Sequence, residues 1–407
     1  MQVGDQVNLT VESLALSGEG IAKKDGLVFF IEGALPGEEV KVSVLKVEKN
    51  LIRAKLDDIS KKSDERVQPP CVHFGICGGC AFQHLKYEKQ LEAKHFELVQ
   101  MMKHLGGFKE RIEINPVIGS PNQYHYRNSV AMTLRHQSKE PFLGFIAKDN
   151  RTFIPIEECI IAEQKINQNL MPVKKRFWQL VPEQKRFKTS QVVIRTGTGK
   201  SIYTSIKKDL ESAQDLCAEI DGKKFFYSGS SFFQTNFSIL KLMVDAVRNL
   251  MVESGAEEED LMLIDLYCGV GFFAVSLAEN FKRVFGIEEG EEATAYAIRN
   301  ANANGVQNAK FISGKVENLL SQIVAEENMN VCILVDPPRV GMQKEVCEYL
   351  ARLKNVKKMI YVSCNPATFI RDAQIMSERF LIKKIQPLDM FPNTKHLELI
   401  ALLEPIS

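Results

Sequence analysis

The sequence lacks any apolar run that approaches the roughly 18 residues of a membrane-spanning helix. The longest candidate, residues 263–278, is interrupted by Asp265. The amino terminus also lacks the charged and then apolar segments of a secretory leader. Internal repeats and low-complexity tracts are absent as well. We therefore expect a cytoplasmic protein, a monomer that does not contact a membrane.

The chain has almost no net charge, since 52 Lys and Arg residues face 51 Asp and Glu residues. Its overall charge therefore indicates no polyanionic partner. One segment differs, because residues 174–208 contain ten basic residues and a single acid, Glu183. The basic residues of this block are Lys174, Lys175, Arg176, Lys185, Arg186, Lys188, Arg195, Lys200, Lys207 and Lys208. Such a block can neutralise phosphates, but a solvated basic helix followed by a hairpin is an equally open interpretation.

The length of 407 residues exceeds one ordinary core and predicts two or three domains. Short alternating apolar and polar runs separated by turn residues predict a small antiparallel β-barrel over residues 1–60. Acids outnumber bases there by ten to seven, so charge gives this barrel no RNA-binding role. Residues 61–235 predict a β-rich central domain with helices over 87–104 and near 162–179. Residues 236–407 alternate strands with helices, which predicts a doubly wound, mostly parallel sheet.

Nine cysteines form an odd set in a chain that does not look secreted, so a disulfide framework is not expected. Three of them fall within ten residues of a glycine-rich loop: Cys71, Cys77 and Cys80. Their thiolates can converge on one metal centre, and Cys159 is the best candidate for a fourth ligand. This distribution favours an iron–sulfur cluster. Zinc, with His73 and His84 nearby, and unligated thiols are the alternatives.

Two features of the α/β domain indicate a nucleotide-like ligand. A short glycine turn, Cys268-Gly269-Val270-Gly271, follows the first strand, and Glu288 ends the second. An acid at that position can accept hydrogen bonds from ribose hydroxyls. The turn is shorter than that of dinucleotide-binding proteins and has no phosphate-loop lysine. It suits S-adenosylmethionine, which has no pyrophosphate.

Three further residues lie where strands of this domain begin or end. Asp336 precedes a rigid Pro-Pro-Arg loop against which a flat base could lie. Cys364 lies between a strand and a helix, where the helix dipole would favour a thiolate. The alternative for Cys364 is a buried, unreactive thiol. Glu398 begins the final strand, and alone it would be taken for a surface residue.

The combination resembles the RNA uracil-C5 methyltransferases, specifically the iron–sulfur type with an amino-terminal TRAM barrel that includes the 23S rRNA enzymes. The resemblance is carried by CVHFGICGGCAFQHL, SFFQTN, DLYCGVGFF, GIEE, VDPPR, YVSCNPATFIRD and LDMFPNTKHLE. It implies an OB-like TRAM barrel over 1–60 and a central RNA-binding domain with the iron–sulfur loop over 61–235. It also implies a Rossmann-like class I methyltransferase domain with an antiparallel final strand over 236–407.

The resemblance also implies roles for individual residues. Cys364 would be the nucleophile and Glu398 the general base. The main contacts to S-adenosylmethionine would be Gln234, Tyr267, Glu288 and Asp336, with Phe272 and Lys315 as weaker candidates. A [4Fe-4S] cluster would be held by Cys71, Cys77, Cys80 and Cys159.

The product implied is 5-methyluridine in RNA, with rRNA favoured over tRNA as the partner. Three alternatives stay open. They are a tRNA uracil-C5 methyltransferase, a zinc-stabilised enzyme acting on cytosine, and a non-catalytic RNA-binding factor. An Asn at position 128, beside Tyr126 and Arg127, departs from several relatives and leaves the RNA site open.

Overall fold

The computed structural model describes residues 1–108, 112–137, 140–180, 190–205, 215–253, 261–327 and 329–406. The chain forms two compact units. Unit 1 comprises Met1–Gln100, Ile146–Ile154 and Phe391–His396, and unit 2 comprises Met101–Phe145, Pro155–Met390 and Leu397–Ser407. The division into three domains therefore stays a prediction.

Unit 1 contains a six-stranded sheet in the predicted barrel region. Its strands are β1 (Gln6–Thr10), β2 (Ser13–Leu14), β3 (Glu19–Lys24), β4 (Leu27–Glu32), β5 (Glu39–Glu48) and β6 (Leu51–Lys61). The spatial order is β1-β5-β6-β4-β3-β2. All neighbours are antiparallel except β4 and β6, which are parallel. The prediction of an antiparallel barrel was thus wrong in one pairing, because β6 lies parallel to β4.

The alternating pattern of these strands buries one face of the sheet. Phe29, Ile31, Val42 and Ile52 have no exposed surface, whereas their neighbours along each strand are more exposed. The helix α1 (Tyr87–Gly106) follows and confirms the predicted helix. Its Leu98 and Met102 are buried, whereas Phe96 is 48% exposed.

After α1 the chain continues with the short β7 (Glu113–Ile114) and a β-rich region, as predicted, which belongs to unit 2 except for residues 146–154. Its elements are β8 (Ser129–Gln137), β9 (Glu140–Ile146), β10 (Phe153–Pro155), α2 (Gln164–Leu180), β11 (Ser190–Thr196), β12 (Ile202–Thr204), β13 (Asp215–Ile220) and β14 (Lys223–Ser228). One sheet has the order β10-β9-β8-β11-β12, and β13 and β14 form a separate antiparallel hairpin.

The remaining elements form the expected α/β arrangement. They are α3 (Leu240–Glu253), β15 (Met262–Leu266), α4 (Phe272–Leu277), β16 (Arg283–Glu288), α5 (Glu291–Ala303), β17 (Ala309–Ser313), α6 (Val316–Glu327), β18 (Val331–Val335), α7 (Lys344–Arg352), β19 (Val356–Ser363), α8 (Pro366–Ile375), β20 (Phe380–Leu388) and β21 (Glu398–Pro405).

The sheet order is β17-β16-β15-β18-β19-β21-β20-β7. Strands β15 to β19 are mutually parallel, and β21 is antiparallel to both β19 and β20. Strands β15 and β18 are buried on both faces, which explains their continuous apolar sequences. This confirms the class I methyltransferase fold with its antiparallel final strand. No helix in the described part of the chain is long and apolar enough to cross a membrane.

Candidate active site

The candidate site lies at the carboxyl ends of the parallel strands β15, β16, β18 and β19. Because β15 separates β16 from β18, the chain reverses its direction of winding there, and ligands of open α/β sheets bind at such a point. The loops that follow these four strands carry Tyr267, Glu288, Asp336 and Cys364. The topology thus brings the sequence-predicted residues of the α/β domain to one edge of one sheet.

The turn after β15 has an unusual backbone. Tyr267 has a φ of 63°, in the left-handed region that non-glycine residues rarely adopt. Gly271 has a φ of 80°, and a Cβ added there would lie 3.1 Å from the Cβ of Ala297 and from the ring of Phe311. Only glycine fits this position without strain. The turn is therefore built so that backbone amides come close to whatever binds above it.

Glu288 is held in place by this turn. Its Oε2 accepts a hydrogen bond from the amide of Gly269 at 3.0 Å, and its Oε1 accepts one from the amide of Gly290 at 2.8 Å. Each carboxylate oxygen has a second lone pair for a further donor. The side chain is half-buried. Its carboxylate is thus oriented before any ligand arrives and can accept two hydroxyl groups.

Asp265, inside β15, was given no role from the sequence. Its Oδ2 accepts the amide of Ala274 at 3.0 Å, which ties the strand to the first turn of α4. Its Oδ1 is buried and has no hydrogen-bond partner among the described residues. Burial, followed by the nearby charges of Asp336 and Glu288, raises the pKa of Asp265 well above its usual value. The only signal in the sequence is an acid within an otherwise apolar strand.

Asp336 follows β18 directly and begins the Pro-Pro-Arg loop. Its amide donates to the carbonyl of Leu266 at 3.3 Å, so the ends of β18 and β15 are joined. Burial raises the pKa of Asp336 to about 7. The carboxyl group can therefore change protonation state near physiological pH, which an exposed aspartate does not do.

Cys364 and Glu398 are brought together by strand register. Ser363, the last residue of β19, is paired with Leu399 of β21. Cys364 and Glu398 are the next residues of the two chains, and the charge of Glu398 acts on the Cys364 thiol, so the two side chains are near each other. Glu398 is 4% exposed, so it is not the surface glutamate of the alternative interpretation. Burial, and then the charge of Asp336, raise its pKa well above the usual value.

The surroundings of Cys364 oppose the thiolate that its position before a helix favours. Burial, with the negative charge of Glu398 as the next cause, raises the pKa of Cys364 to about 11. The helix α8 does begin two residues later, at Pro366, and Asn365 caps it through a 3.2 Å bond from the Ala367 amide. That the dipole of this helix favours a thiolate stays a prediction.

Arg339, the last residue of the Pro-Pro-Arg loop, was quoted in the motif without a role. Its guanidinium donates a hydrogen bond towards Cys364, and both this bond and its charge lower the pKa of that thiol. The carbonyl of Arg339 accepts bonds from the Asn365 side chain at 3.2 Å and from the Thr368 hydroxyl at 3.4 Å. The two loops are thus bound to each other, which holds the Arg339 backbone in place beside the thiol.

A first prediction concerns this thiol alone. Since only the thiolate is alkylated, a pKa of about 11 means that Cys364 reacts slowly with iodoacetamide at pH 7. We expect the rate to rise about tenfold per pH unit until pH approaches 11. Mass spectrometry of the Cys364 peptide measures this rate. In Arg339→Met the rate at a given pH should fall, because the cation that favours the thiolate is gone. A plateau near pH 8 would contradict the raised pKa.

Gln234 is almost fully buried in the loop after β14. Its carbonyl accepts a bond from the Asn128 side chain at 3.0 Å, and the carbonyl of Phe233 accepts one from Arg195 at 2.8 Å. Asn128, the departure from several relatives, thus holds the backbone beside Gln234 and is itself fully buried. Asn128 therefore has a structural role, which the sequence alone did not indicate.

The weaker candidates, Phe272 and Lys315, differ in environment. Phe272 is 6% exposed, and its ring packs edge-on against Phe225 and Phe233 at centroid distances of 5.3 and 5.9 Å. Its main contacts are therefore with other aromatic rings. Lys315 is exposed, with its Nζ 3.9 Å from Glu289. Neither observation tests a ligand contact.

The basic block is only partly described. Lys185, Arg186, Lys188, Lys207 and Lys208 lie outside the described residues. Arg195 is 5% exposed, bonds to the carbonyls of Ser231 and Phe233, and lies over the ring of Tyr227. Counting Arg195 as a phosphate-binding residue was therefore wrong, because its charge is used inside unit 2.

The three cysteines of the glycine-rich loop lie in unit 1, and Cys159 lies in unit 2. All four are half-buried, and none forms a disulfide. The charge of Cys71 contributes to a raised pKa at Cys77, after the larger effect of burial, so these two thiols are near each other. The side chain of Asn167 accepts a hydrogen bond from the amide of Cys159 at 2.9 Å and donates one to the carbonyl of Cys159 at 3.1 Å.

Within the described ranges, no group of three or more His, Cys, Asp or Glu side chains has an arrangement that could hold a metal ion. The chemistry of the four thiols still matches iron–sulfur ligation, because thiolates are the ligands such clusters use. His84, the candidate histidine ligand of the zinc alternative, is buried, and its ring nitrogens have no hydrogen-bond partner among the described residues.

Two family models match the chain. The model described as tRNA (Uracil-5-)-methyltransferase matches residues 184–406, and the TRAM domain model matches residues 1–56. Relatives include proteins called uncharacterized RNA methyltransferases. One from Clostridium acetobutylicum is 30% identical, covering 97% of this chain and 96% of the relative. One from Listeria monocytogenes is 29% identical, covering 99% and 98%.

Among solved structures, the chain resembles the Pyrococcus abyssi tRNA (uracil-54, C5)-methyltransferase in complex with S-adenosyl-L-homocysteine. The TM-score is 0.74 at 24% identity, and the match covers 98% of this chain and 100% of that one. At this identity the likeness shows a shared fold, which extends over almost the whole chain.

Proposed function

The chain belongs to the tRNA (uracil-5-)-methyltransferase family and is therefore an RNA methyltransferase with an amino-terminal TRAM domain, and from this we propose that it methylates carbon 5 of a uridine in RNA. The observation that carries the proposal is the register of β19 and β21, which sets Cys364 against Glu398 with Arg339 beside the thiol.

The residue types suit the chemistry of uracil. Carbon 5 of uracil is too weak a nucleophile to take a methyl group unaided. Addition of the Cys364 sulfur to carbon 6 forms an S–C6 bond and converts the ring to an enolate, whose carbon 5 is nucleophilic. After methylation, Glu398 accepts the proton from carbon 5. The S–C6 bond then breaks, the double bond returns, and Cys364 leaves as a thiolate.

S-adenosylmethionine, when bound, supplies the methyl group as an electrophile. The glycine turn fits this donor, because the amides of Gly269 and Gly290 orient Glu288 to accept ribose hydroxyls. We assign the further contacts to Gln234, Tyr267 and Asp336. Arg339 stabilises the Cys364 thiolate, which otherwise is a small fraction of the thiol at neutral pH.

A second prediction tests the ribose contact. Glu288→Gln keeps the shape of the side chain but removes its charge, and hydrogen bonds to charged groups contribute roughly 1.5–3 kcal/mol. We expect the dissociation constant of S-adenosylmethionine to rise about 10- to 100-fold in calorimetric titration. The matched control is Glu289→Gln, an exposed neighbour, which should leave it unchanged. Equal binding by both variants would exclude Glu288 from the donor site.

We assign a [4Fe-4S] cluster to Cys71, Cys77, Cys80 and Cys159. The support is four half-buried cysteines that form no disulfide, three of them on a glycine-rich loop and two of these within electrostatic range of each other. The methyl transfer outlined above needs no electron, so the cluster would have a structural role.

The third prediction follows from this assignment. Protein purified without air should be brown and contain iron and acid-labile sulfide. Cys159→Ser should lose the iron as completely as Cys77→Ser, whereas Cys217→Ser, which changes another half-buried cysteine, should keep it. If the anaerobically purified protein contained zinc and no iron, the assignment of an iron–sulfur cluster would be wrong.

For the RNA, we favour rRNA, most simply 23S rRNA, as the resemblance of the cysteine loop and TRAM barrel suggests. The second candidate is tRNA, which the description of the matching family names. Label transfer from methyl-labelled S-adenosylmethionine to separate rRNA and tRNA pools from cells lacking the protein distinguishes them. Mapping 5-methyluridine in the labelled pool then identifies the site. Absence of label in both pools would reject the activity. We also expect a cytoplasmic monomer, which gel filtration tests for the oligomeric state.

A further inference from the structure

Unit 1 contains a cavity that the methylation chemistry does not use. Its volume is about 270 Å³, which is below the roughly 300–1,000 Å³ of sites for drug-sized ligands. The lining comes from four parts of unit 1: the TRAM sheet, the glycine-rich cysteine loop, the segment Ile146–Ile154 and the segment Phe391–His396. It includes Cys80 of that loop and the charged and aromatic side chains of Glu19, Glu32, Phe74, His84, Lys148, Lys395 and His396.

His84 is the main reason to regard this cavity as a binding site. It is 2% exposed, yet neither ring nitrogen has a hydrogen-bond partner among the described residues. Burying a polar group without a partner costs about 1–3 kcal/mol. Burial also lowers the pKa of His84 to about 4, so the neutral ring offers one donor and one acceptor.

The rest of the lining indicates what the missing partner is. Phe74 lies against His84 at a centroid distance of 5.1 Å, and His396 adds a second aromatic surface. Two acids, Glu19 and Glu32, and two bases, Lys148 and Lys395, line the cavity, so its charges are balanced. Lys148 pairs with Glu32, and Glu19 pairs with Arg53 at 2.7 Å. A lining without net charge does not favour a phosphate. A flat, uncharged group with its own donors and acceptors suits such a cavity.

We propose that this cavity receives one unpaired nucleobase of the substrate RNA, a base other than the uridine that is methylated. Proteins read single-stranded RNA in this way, by stacking a base on aromatic side chains and bonding to its polar edge. The proposal rests on the RNA methyltransferase function above. In this proposal unit 1 recognises the substrate through shape and hydrogen bonds. The excess of acids over bases in residues 1–60 does not oppose such binding, because a nucleobase is uncharged.

The test separates a ligand-binding His84 from a structural one. His84→Phe keeps an aromatic ring beside Phe74 but removes both nitrogens. Since these have no protein partner, the melting temperature should stay equal or rise. If the cavity binds a base, the KM for the labelled RNA pool should rise roughly tenfold, with kcat and iron content unchanged. His84→Gln, which retains a donor and an acceptor, should recover part of the loss. His73→Phe, on the same loop but outside the lining, is the control.

A folded His84→Phe protein with unchanged KM would overturn the proposal, and would mean that water satisfies the imidazole. Ultraviolet cross-linking of the unaltered protein to the same RNA gives a second readout, independent of folding of the variant. A nucleotide attached to the peptide containing Phe74 or His84 supports the cavity as a base site, and its absence counts against it. If the unaltered protein cross-links there but methylates neither RNA pool, the proposed function fails while the cavity assignment stands.

Discussion

Replacing Cys364 with alanine should abolish methyl transfer, with a loss of at least roughly 10⁴-fold, as for other enzymes that lose their nucleophile. Without the sulfur no bond to carbon 6 forms, so carbon 5 stays too weak a nucleophile to take the methyl group. The measurement is label transfer from S-adenosylmethionine to RNA, with binding of both substrates checked separately. Neither affinity should change by more than a few-fold.

The control is Cys217→Ala, since Cys217 is also half-buried in unit 2 but lies in the β13–β14 hairpin. It should retain full activity. A denaturing gel should show no RNA attached to Cys364→Ala under any condition. Methylated uridine formed by this variant would reject both the nucleophile and the covalent mechanism.

Replacing Glu398 should give a different kind of failure. Addition of Cys364 and methylation of carbon 5 can both proceed, but the carbon 5 proton has no acceptor. The S–C6 bond therefore cannot break. Both Glu398→Ala and the isosteric Glu398→Gln should accumulate a methylated protein–RNA adduct, while turnover falls by about 10²–10⁴-fold, the usual effect of losing a general base.

The adduct is a shifted band of labelled RNA on a denaturing gel, and it should require S-adenosylmethionine. The double variant of Cys364→Ala with Glu398→Gln should show no band, which ties the adduct to this thiol. Because Glu398 is almost fully buried, the Gln variant tests its chemistry with less effect on packing than the Ala variant. Near-normal turnover without an adduct would assign the base to another group.

Most of the α/β architecture could be predicted because its signals are local. Strands such as β15 and β18 read as continuous apolar runs, and the helix α1 reads from its spacing of apolar residues. Strand β7 could not be found in this way. Only two of its residues pair with β20, at Glu113 and Ile114, so no periodic pattern exists to detect.

The candidate site also combines features that the sequence predicts with features that depend on the fold. The sequence identified the candidate residues through motifs, but their electrostatics depend on the folded arrangement. Cys364 was expected to be a thiolate on the basis of its own helix, whereas burial and Glu398, 34 positions away in the chain, raise its pKa. Arg195 looked like part of a basic surface, and only the fold reveals that backbone carbonyls of a distant loop bind it.

The pairing of β19 with β21 also sets how this chain can vary in length. Side chains alternate between the two faces of a strand, so a one-residue shift of β21 would turn Glu398 to the opposite face from Cys364. A one-residue deletion within β21 should thus abolish methyl transfer even where the protein still folds. The connection between Leu388 and Glu398 is constrained by burial instead, since Asp389, Met390, Asn393 and Thr394 are at most 1% exposed. Insertions there should therefore also lower stability or activity, so we expect the chain from β20 to the end of β21 to tolerate little change in length.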